Sequence, residues 1–145
     1  MKWVALVTWV ITAGGGFALL GLWLKNGGMK QSDGPGDRIR ATRIFTHMGL
    51  AATGLVLWII YIASDSEALA WVAFAVLAVV ALIGFSMLAI WLRQRSREPA
   101  AATGAAAPGT EPAERQFPPA IVGAHGVIAA ATLVLVLLVA AGVGD

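Results

Sequence analysis

The chain has 145 residues, of which 59% are hydrophobic and only 12% are charged, with a net charge of +2 and a mean hydropathy of +0.80. This composition excludes an ordinary soluble domain and predicts a membrane protein. Because no cysteine is present, disulfides, thiolate metal sites, iron–sulfur clusters and covalently attached c-type haem are excluded as well. We find no nucleic-acid-binding motif, so a nucleic-acid partner is not expected.

The first predicted membrane span covers about residues 3–24, which is long enough to cross a hydrocarbon core. A signal peptide is the alternative, since Lys2 supplies a basic start. The apolar stretch is longer than a usual signal core and is not followed by a cleavage-site pattern, which favours a retained helix. Gly14, Gly15 and Gly16 lie in mid-span, where glycine allows close approach of another helix or of a flat ligand.

A polar connector of residues 25–43 follows the first span. Its Gly-Pro-Gly sequence at 34–36 predicts a turn, and Asp37 is a candidate N-cap for the next helix. The second predicted span covers about residues 44–63.

A very short acidic connector, residues 64–67, separates the second span from the third, which covers about residues 68–92. A connector of this length makes the two spans antiparallel neighbours. Asp65 or Ser66 is expected to cap the third helix, and the acidic side chains of the connector are expected to be solvated.

The second long connector, residues 93–117, has a low-complexity middle that cannot bury a hydrophobic face, and we expect it to be mobile. Pro118 and Pro119 begin the fourth predicted span, about residues 118–143, because proline is tolerated in a first helical turn. Four tryptophans near span ends support the boundaries of the first and third spans, since indoles favour the membrane interface: Trp3, Trp23, Trp71 and Trp91.

The distribution of lysine and arginine predicts the orientation. Residues 25–43 contain five of them and residues 93–117 contain four, whereas the amino-terminal tail has one and residues 64–67 have none. The positive-inside rule places both long connectors in the cytoplasm and both chain ends outside. We therefore predict an all-α, four-transmembrane-helix, up-down-up-down bundle in the cell membrane, with both termini extracytoplasmic.

The only two histidines, His47 and His125, lie near the heads of the second and fourth spans. From His47 to Asp65 is 18 residues and from His125 to Asp145 is 20, a difference of about 3 Å along a helix axis. Spans two and four lie diagonally across such a bundle, so two imidazoles at one depth can ligate one haem iron from opposite sides. Ionisable residues inside a membrane are usually functional. The structural alternative is that each histidine reaches interfacial water or hydrogen-bonds a neighbouring carbonyl.

Several neighbours of the histidines are compatible with a haem b site. Arg43 lies one turn before His47 and Arg40 a similar step before Arg43, so their guanidinium groups would meet haem propionates. Thr46 is a candidate to orient an imidazole. Three glycines would leave room for the porphyrin: Gly49, Gly123 and Gly126.

Four spans with one histidine on each of two helices resemble the small four-helix membrane b-type cytochromes, such as the haem-bearing subunits of respiratory oxidoreductases. The resemblance implies one haem b, one-electron transfer, and a quinone pool or a larger membrane redox complex as partner. The chain departs from two-haem members in having only two histidines. It also offers no acidic residue expected to be buried, which would be needed for a quinone proton site.

Two other functions remain open from the sequence. One is a cofactor-free accessory subunit of a larger membrane complex. The other is a small transporter or copper-handling protein, indicated by His47, Met48 and Met87, although no methionine-rich cluster or acidic translocation residue supports it. Catalysis by the chain alone is not expected, because no nucleophile–base set and no phosphate-binding loop is present.

Overall fold

A computed structural model of the protein describes residues 1–34, 36–96 and 111–144, and the described residues are all-helical, without strands. Four long helices carry the structure: α1 (Lys2–Lys25), α3 (Ala41–Ser64), α4 (Glu67–Ser96) and α5 (Pro119–Ala140). Two short elements lie in the connectors, α2 (Gly28–Gln31) and a 3-10 helix (Ala113–Gln116). The predicted mobility of the low-complexity part of the second connector concerns residues outside the described ranges.

All four long helices are long and apolar enough to cross a membrane, with mean hydropathies of 1.8, 1.7, 2.7 and 2.4 in chain order. Large apolar side chains point away from the protein along their length, including Phe17 (62% exposed), Leu82 (69%) and Val127 (71%). Such exposure is costly in water and favourable in lipid. The predicted all-helical fold with four hydrophobic helices is confirmed, and it indicates membrane insertion.

The helix bounds differ from the predicted spans by three or four residues at three places, one of which is the end of α5 at Ala140 rather than near residue 143. Helix α4 continues to Ser96 because Gln94 finds buried partners in the connectors. Helix α3 begins at Ala41 with Arg40 as its N-cap. Asp37 does not cap this helix, because it lies three residues before the N-cap position, and its main-chain carbonyl accepts a hydrogen bond from the Gln94 amide at the end of α4.

The long helices associate mainly as two pairs. Helix α3 packs against α4, α1 packs against α5, and contacts between α4 and α5 join the pairs, whereas α1 and α3 touch less extensively. At one end of the molecule Lys2 forms an ion pair with Asp65, and the Met1 amino group donates to the Gly144 carbonyl (2.9 Å). The beginning of α1, the α3–α4 turn and the end of the chain therefore meet.

Two separate clusters form the core. The first, which we call the termini cluster, contains Trp9, Trp58 and Tyr61 among its buried residues, and the Trp58 and Tyr61 rings lie 4.8 Å apart. The second, the connector cluster, consists of Trp23, Trp91, Ala113 and Phe117. Buried aromatic residues therefore pack between the helices at two separate levels of the bundle.

Between these two clusters lies a level that we call the histidine layer, because it contains His47 and His125. No side chain in this layer is fully buried, on any of the four long helices. The stretches without a buried residue are 10–22 in α1, 40–53 before and within α3, 81–89 in α4 and 118–131 before and within α5. On α4, the shortest of them, nine residues correspond to about 14 Å of helix. At this level the side chains are therefore more exposed than in the two clusters.

Glu114 corrects one expectation from the sequence. The sequence offers no acidic residue that is expected to be buried, but Glu114 is only 2% exposed. Its carboxylate accepts hydrogen bonds from the Ile39 main-chain N–H (2.7 Å) and the Gln94 amide (2.8 Å). The 3-10 helix packs against the bundle at the connector end, so that Glu114 contacts two segments that are distant in sequence. Local hydropathy does not predict this placement.

Candidate functional site

His47 lies on α3 and is held by the neighbouring helix α4. Its Nδ1 lies 3.0 Å from the main-chain carbonyl oxygen of Val80. A carbonyl can only accept, so Nδ1 carries the proton and donates it. The neutral imidazole then has its lone pair on Nε2, which is the atom that binds a metal.

His125 on α5 is held in the same way by α1. Its Nδ1 lies 3.0 Å from the main-chain carbonyl oxygen of Thr12 and donates to it. Within the described part of the chain, no hydrogen bond engages Nε2 of either histidine. Both rings therefore keep a free lone-pair nitrogen in a defined tautomer.

Glycines make these two hydrogen bonds possible. A methyl group at Gly84 would lie 3.2 Å from Cε1 of His47, and one at Gly16 would lie 3.4 Å from Cε1 of His125. In a helix, the carbonyl of residue i points toward residue i+4, and Gly84 and Gly16 are four residues after Val80 and Thr12. Because the glycine has no side chain, the carbonyl is accessible to the imidazole. The same arrangement of a carbonyl, a glycine four residues later and an imidazole therefore occurs at both histidines.

The two rings lie side by side in the histidine layer. Their centroids are 6.4 Å apart and their planes are inclined at 60°. A metal–imidazole bond is about 2.0–2.1 Å long, so a metal bound linearly by two Nε2 atoms places the ring centroids about 6.3 Å apart. The observed centroid separation of 6.4 Å is close to this value.

The chemistry of the ligand set favours a macrocycle over a bare ion. Among the described residues there is no group of three or more His, Cys, Asp or Glu side chains that could hold a metal ion. Protein sites for free zinc use three or four such ligands. A porphyrin would bring four nitrogens of its own, so that two imidazoles would complete a six-coordinate iron.

The other predicted site residues occupy different positions around the histidines. Arg43 is half-buried and lines a surface depression of about 310 Å³ between α3 and α4, together with Thr46. Arg40 is exposed. The three predicted glycines are exposed, and a methyl group on any of them would meet open space: Gly49, Gly123 and Gly126. Their contact with a cofactor stays a prediction.

Sequence reasoning missed the residues that hold the imidazoles. Thr12 and Val80 act through main-chain carbonyls, which carry no sequence signal of their own. Gly84 is a single glycine in a long apolar helix. It lies 17 residues after Glu67, at the start of α4, and His47 lies 17 residues before Ser64, at the end of the antiparallel helix α3, so the two residues are at the same depth. That matching depth is the signal that could have found it.

Comparison with known protein families, with curated proteins and with solved structures shows no significant match to this chain. The function must therefore be argued from the geometry of the histidine layer itself.

Proposed function

We propose that this protein is an integral-membrane electron-transfer protein that binds one haem b between His47 and His125. The observation that carries the proposal is the pair of imidazoles 6.4 Å apart, each with Nδ1 bonded to a main-chain carbonyl. The same hydrogen bonds serve in metal proteins to fix the tautomer and raise the basicity of the ligating nitrogen.

Haem b would be held by His47 and His125 and would supply a one-electron couple. The protein's own contribution is positional. The termini cluster and the connector cluster border the histidine layer with apolar side chains at its two ends, which would lower the polarity around a bound iron. With both imidazoles engaged by the iron, the site would favour electron transfer over oxygen or substrate binding at the metal.

We also infer the membrane topology. The helices run up-down-up-down, with the basic connectors in the cytoplasm and both chain ends outside. The Lys2–Asp65 ion pair and the Met1–Gly144 hydrogen bond support this by joining the chain ends to the α3–α4 turn, and the lysine and arginine distribution gives the direction. A larger membrane redox complex, or a quinone, is the expected electron partner.

The inferred topology predicts the labelling of introduced thiols. Because the chain has no cysteine, single replacements Gly142→Cys and Gln116→Cys report on opposite ends. A membrane-impermeant maleimide added to intact cells is expected to label position 142 and to reach position 116 only after lysis. The reverse pattern would contradict the orientation.

The haem proposal predicts the spectrum of the purified protein. Detergent-solubilised protein is expected to show a b-type band in the reduced-minus-oxidised difference spectrum, with about one haem per chain. Apoprotein mixed with haem is expected to produce the same low-spin spectrum. Protein that neither carries haem nor takes it up would exclude the cytochrome function and favour the cofactor-free accessory subunit.

A further inference from the structure

The surface depression of about 310 Å³ between α3 and α4 has a lining suited to an anion. Thr42, Arg43 and Thr46 line it from the beginning of α3, and Ile83 and Ser86 line it from α4. These described residues supply one cationic group and three hydroxyl groups, and none of them is acidic. The depression has the volume of about ten water molecules, so a phosphate group fits within it.

The depression opens away from the interior of the bundle. On α3, Ile44 packs against the connector cluster and is two residues from both Thr42 and Thr46, a rotation of about 200° around a helix. On α4, Leu88 packs against the same cluster and is two residues from Ser86. The residues that line the depression are therefore on the opposite faces of both helices, and Thr42 and Thr46 are exposed.

The donors on α3 are not used by the protein. Arg43 forms no ion pair or side-chain hydrogen bond with any residue that the structure describes, and neither does the Thr46 hydroxyl. Ser86 differs, since its hydroxyl donates to the Ile83 carbonyl. Four other threonines in the long helices also donate to carbonyls of their own helix: Thr8, Thr12, Thr53 and Thr132. The hydroxyl of Thr46 is thus available to a ligand in the depression.

The depression lies at the depth of the lipid headgroups. Helix α3 has 24 residues and begins at Ala41, so it is about 36 Å long, more than the roughly 30 Å of a hydrocarbon core. Arg43 and Thr46 are about 3 Å and 8 Å from its beginning. In the proposed topology this end is cytoplasmic, and the groups of the bilayer at this level are phosphates and glycerol esters.

A path for an acyl chain leads from the depression toward the middle of the membrane. Gly49 and Thr53 follow Thr46 by three and seven residues on the same face of α3, and both are exposed. A methyl group at Gly49 would meet nothing within 4 Å. On α4, Val79 lies one turn from Ile83 in the same direction and is 46% exposed. An acyl chain attached to a phosphate in the depression can therefore lie along α3 and α4.

We propose that this depression binds the phosphodiester group of an anionic glycerophospholipid. The Arg43 guanidinium donates to the phosphate oxygens, and the Thr46 hydroxyl donates to one of them. Basic pockets between membrane helices are known to bind lipid headgroups in this way. An anionic lipid is favoured over a zwitterionic one, because the described lining has a positive charge and no acidic side chain to pair with a headgroup amine. The site does not depend on haem; only its assignment to the cytoplasmic leaflet rests on the proposed topology.

The test is a titration of the delipidated apoprotein in detergent with phosphatidylglycerol, followed by native mass spectrometry. The wild-type protein is expected to bind one phosphatidylglycerol more tightly than further copies, and more tightly than phosphatidylcholine with the same acyl chains. Arg43→Gln is expected to weaken this first binding about tenfold, the lower end of the value of a hydrogen bond to a charged group, because the site is open. Arg43→Lys keeps the charge but not the planar fork and is expected to lose less. Thr46→Val is expected to cost about threefold.

Two matched controls change the same groups outside the depression. Arg93→Gln removes a positive charge from an exposed position on α4, and Thr53→Val removes a hydroxyl that already donates to the Gly49 carbonyl. Both are expected to leave the affinity for the first phosphatidylglycerol unchanged. The melting temperature of each lipid-free variant, Arg43→Gln and Thr46→Val included, is expected to equal that of the wild type.

Three other outcomes would overturn the lipid site and leave the haem proposal intact. Equal affinities for phosphatidylglycerol and phosphatidylcholine, or an equal loss in Arg93→Gln, would show general attraction between lipid and protein. Displacement of the lipid by inorganic phosphate at a similar concentration would show a site for the free ion. A loss of haem affinity in Arg43→Gln without a loss of lipid affinity would assign the guanidinium to a haem propionate.

Discussion

Replacement of His47 or His125 by alanine is expected to abolish stable haem binding while the helices remain folded. Each histidine supplies an axial ligand, and loss of hydrogen-bond partners one step further from a metal already costs about 10- to 100-fold in affinity. We therefore expect more than about a hundredfold loss for either variant. Alanine is the best helix former, so the helical content measured by circular dichroism is expected to stay unchanged.

The haem-to-protein ratio after purification and the affinity of the apoprotein for added haem measure this effect. Thr53→Ala is the matched control on the same helix, because the Thr53 hydroxyl is exposed and bonds only the Gly49 carbonyl of its own helix. His47→Gly leaves a space where free imidazole is expected to restore a low-spin spectrum. Full haem content in His47→Ala would exclude this residue as a ligand.

The fold could be predicted from the sequence because its signals are local. An apolar run of about 20 residues predicts a spanning helix without reference to any other part of the chain, and all four such runs are helices. The buried position of Glu114 could not be predicted in this way. It depends on which residues the 3-10 helix meets when it folds back, and its partners Ile39 and Gln94 are 75 and 20 residues away.

The candidate site also has a part that local sequence signals predict and a part that depends on contacts between distant residues. His47 and His125 stand out in the sequence because an ionisable side chain within a membrane-spanning segment is energetically costly and usually functional. The sequence does not show which glycine meets which ring, because the rotation of each helix decides it. Gly15 and Gly16, interpreted as a place of close approach, contact the ring of His125. Gly123 and Gly126, selected because they flank His125 in sequence, face open space.

The glycines opposite the imidazoles are expected to be nearly as important as the imidazoles themselves. A methyl group at Gly84 would lie 3.2 Å from Cε1 of His47, closer than ordinary van der Waals contact, so the ring must shift and its bond to the Val80 carbonyl must lengthen. We expect Gly84→Ala to weaken haem binding about tenfold, as for loss of an orienting partner. Gly84→Leu covers the carbonyl entirely, and the loss is expected to approach that of His47→Ala. Gly16→Leu is expected to act in the same way through His125, whereas Gly16→Ala is expected to have a smaller effect, because a methyl group there would lie 3.4 Å from Cε1 of His125, at ordinary contact distance.

Gly14→Ala separates this effect from helix propensity. A methyl group at Gly14 meets nothing within 4 Å, so this variant gains the advantage of alanine over glycine in a helix, about 1 kcal/mol, without touching a ring. Gly14→Ala and Gly84→Ala are expected to raise or preserve the melting temperature of the apoprotein, but only Gly84→Ala is expected to lower the affinity for haem. Equal affinities for the two variants would contradict the positioning role of Gly84.

A double-mutant cycle identifies the ring as the target of the glycine substitution. In the background of His47→Gly with added imidazole, the ring is no longer tethered to α3 and can move away from a methyl group at residue 84. The tenfold loss caused by Gly84→Ala is therefore expected to disappear in that background, which makes the two changes strongly non-additive. If the loss persists when the imidazole is free, the methyl group acts on the porphyrin or on the packing of α3 against α4. The Val80 carbonyl would then not be the element that aims His47 at the iron.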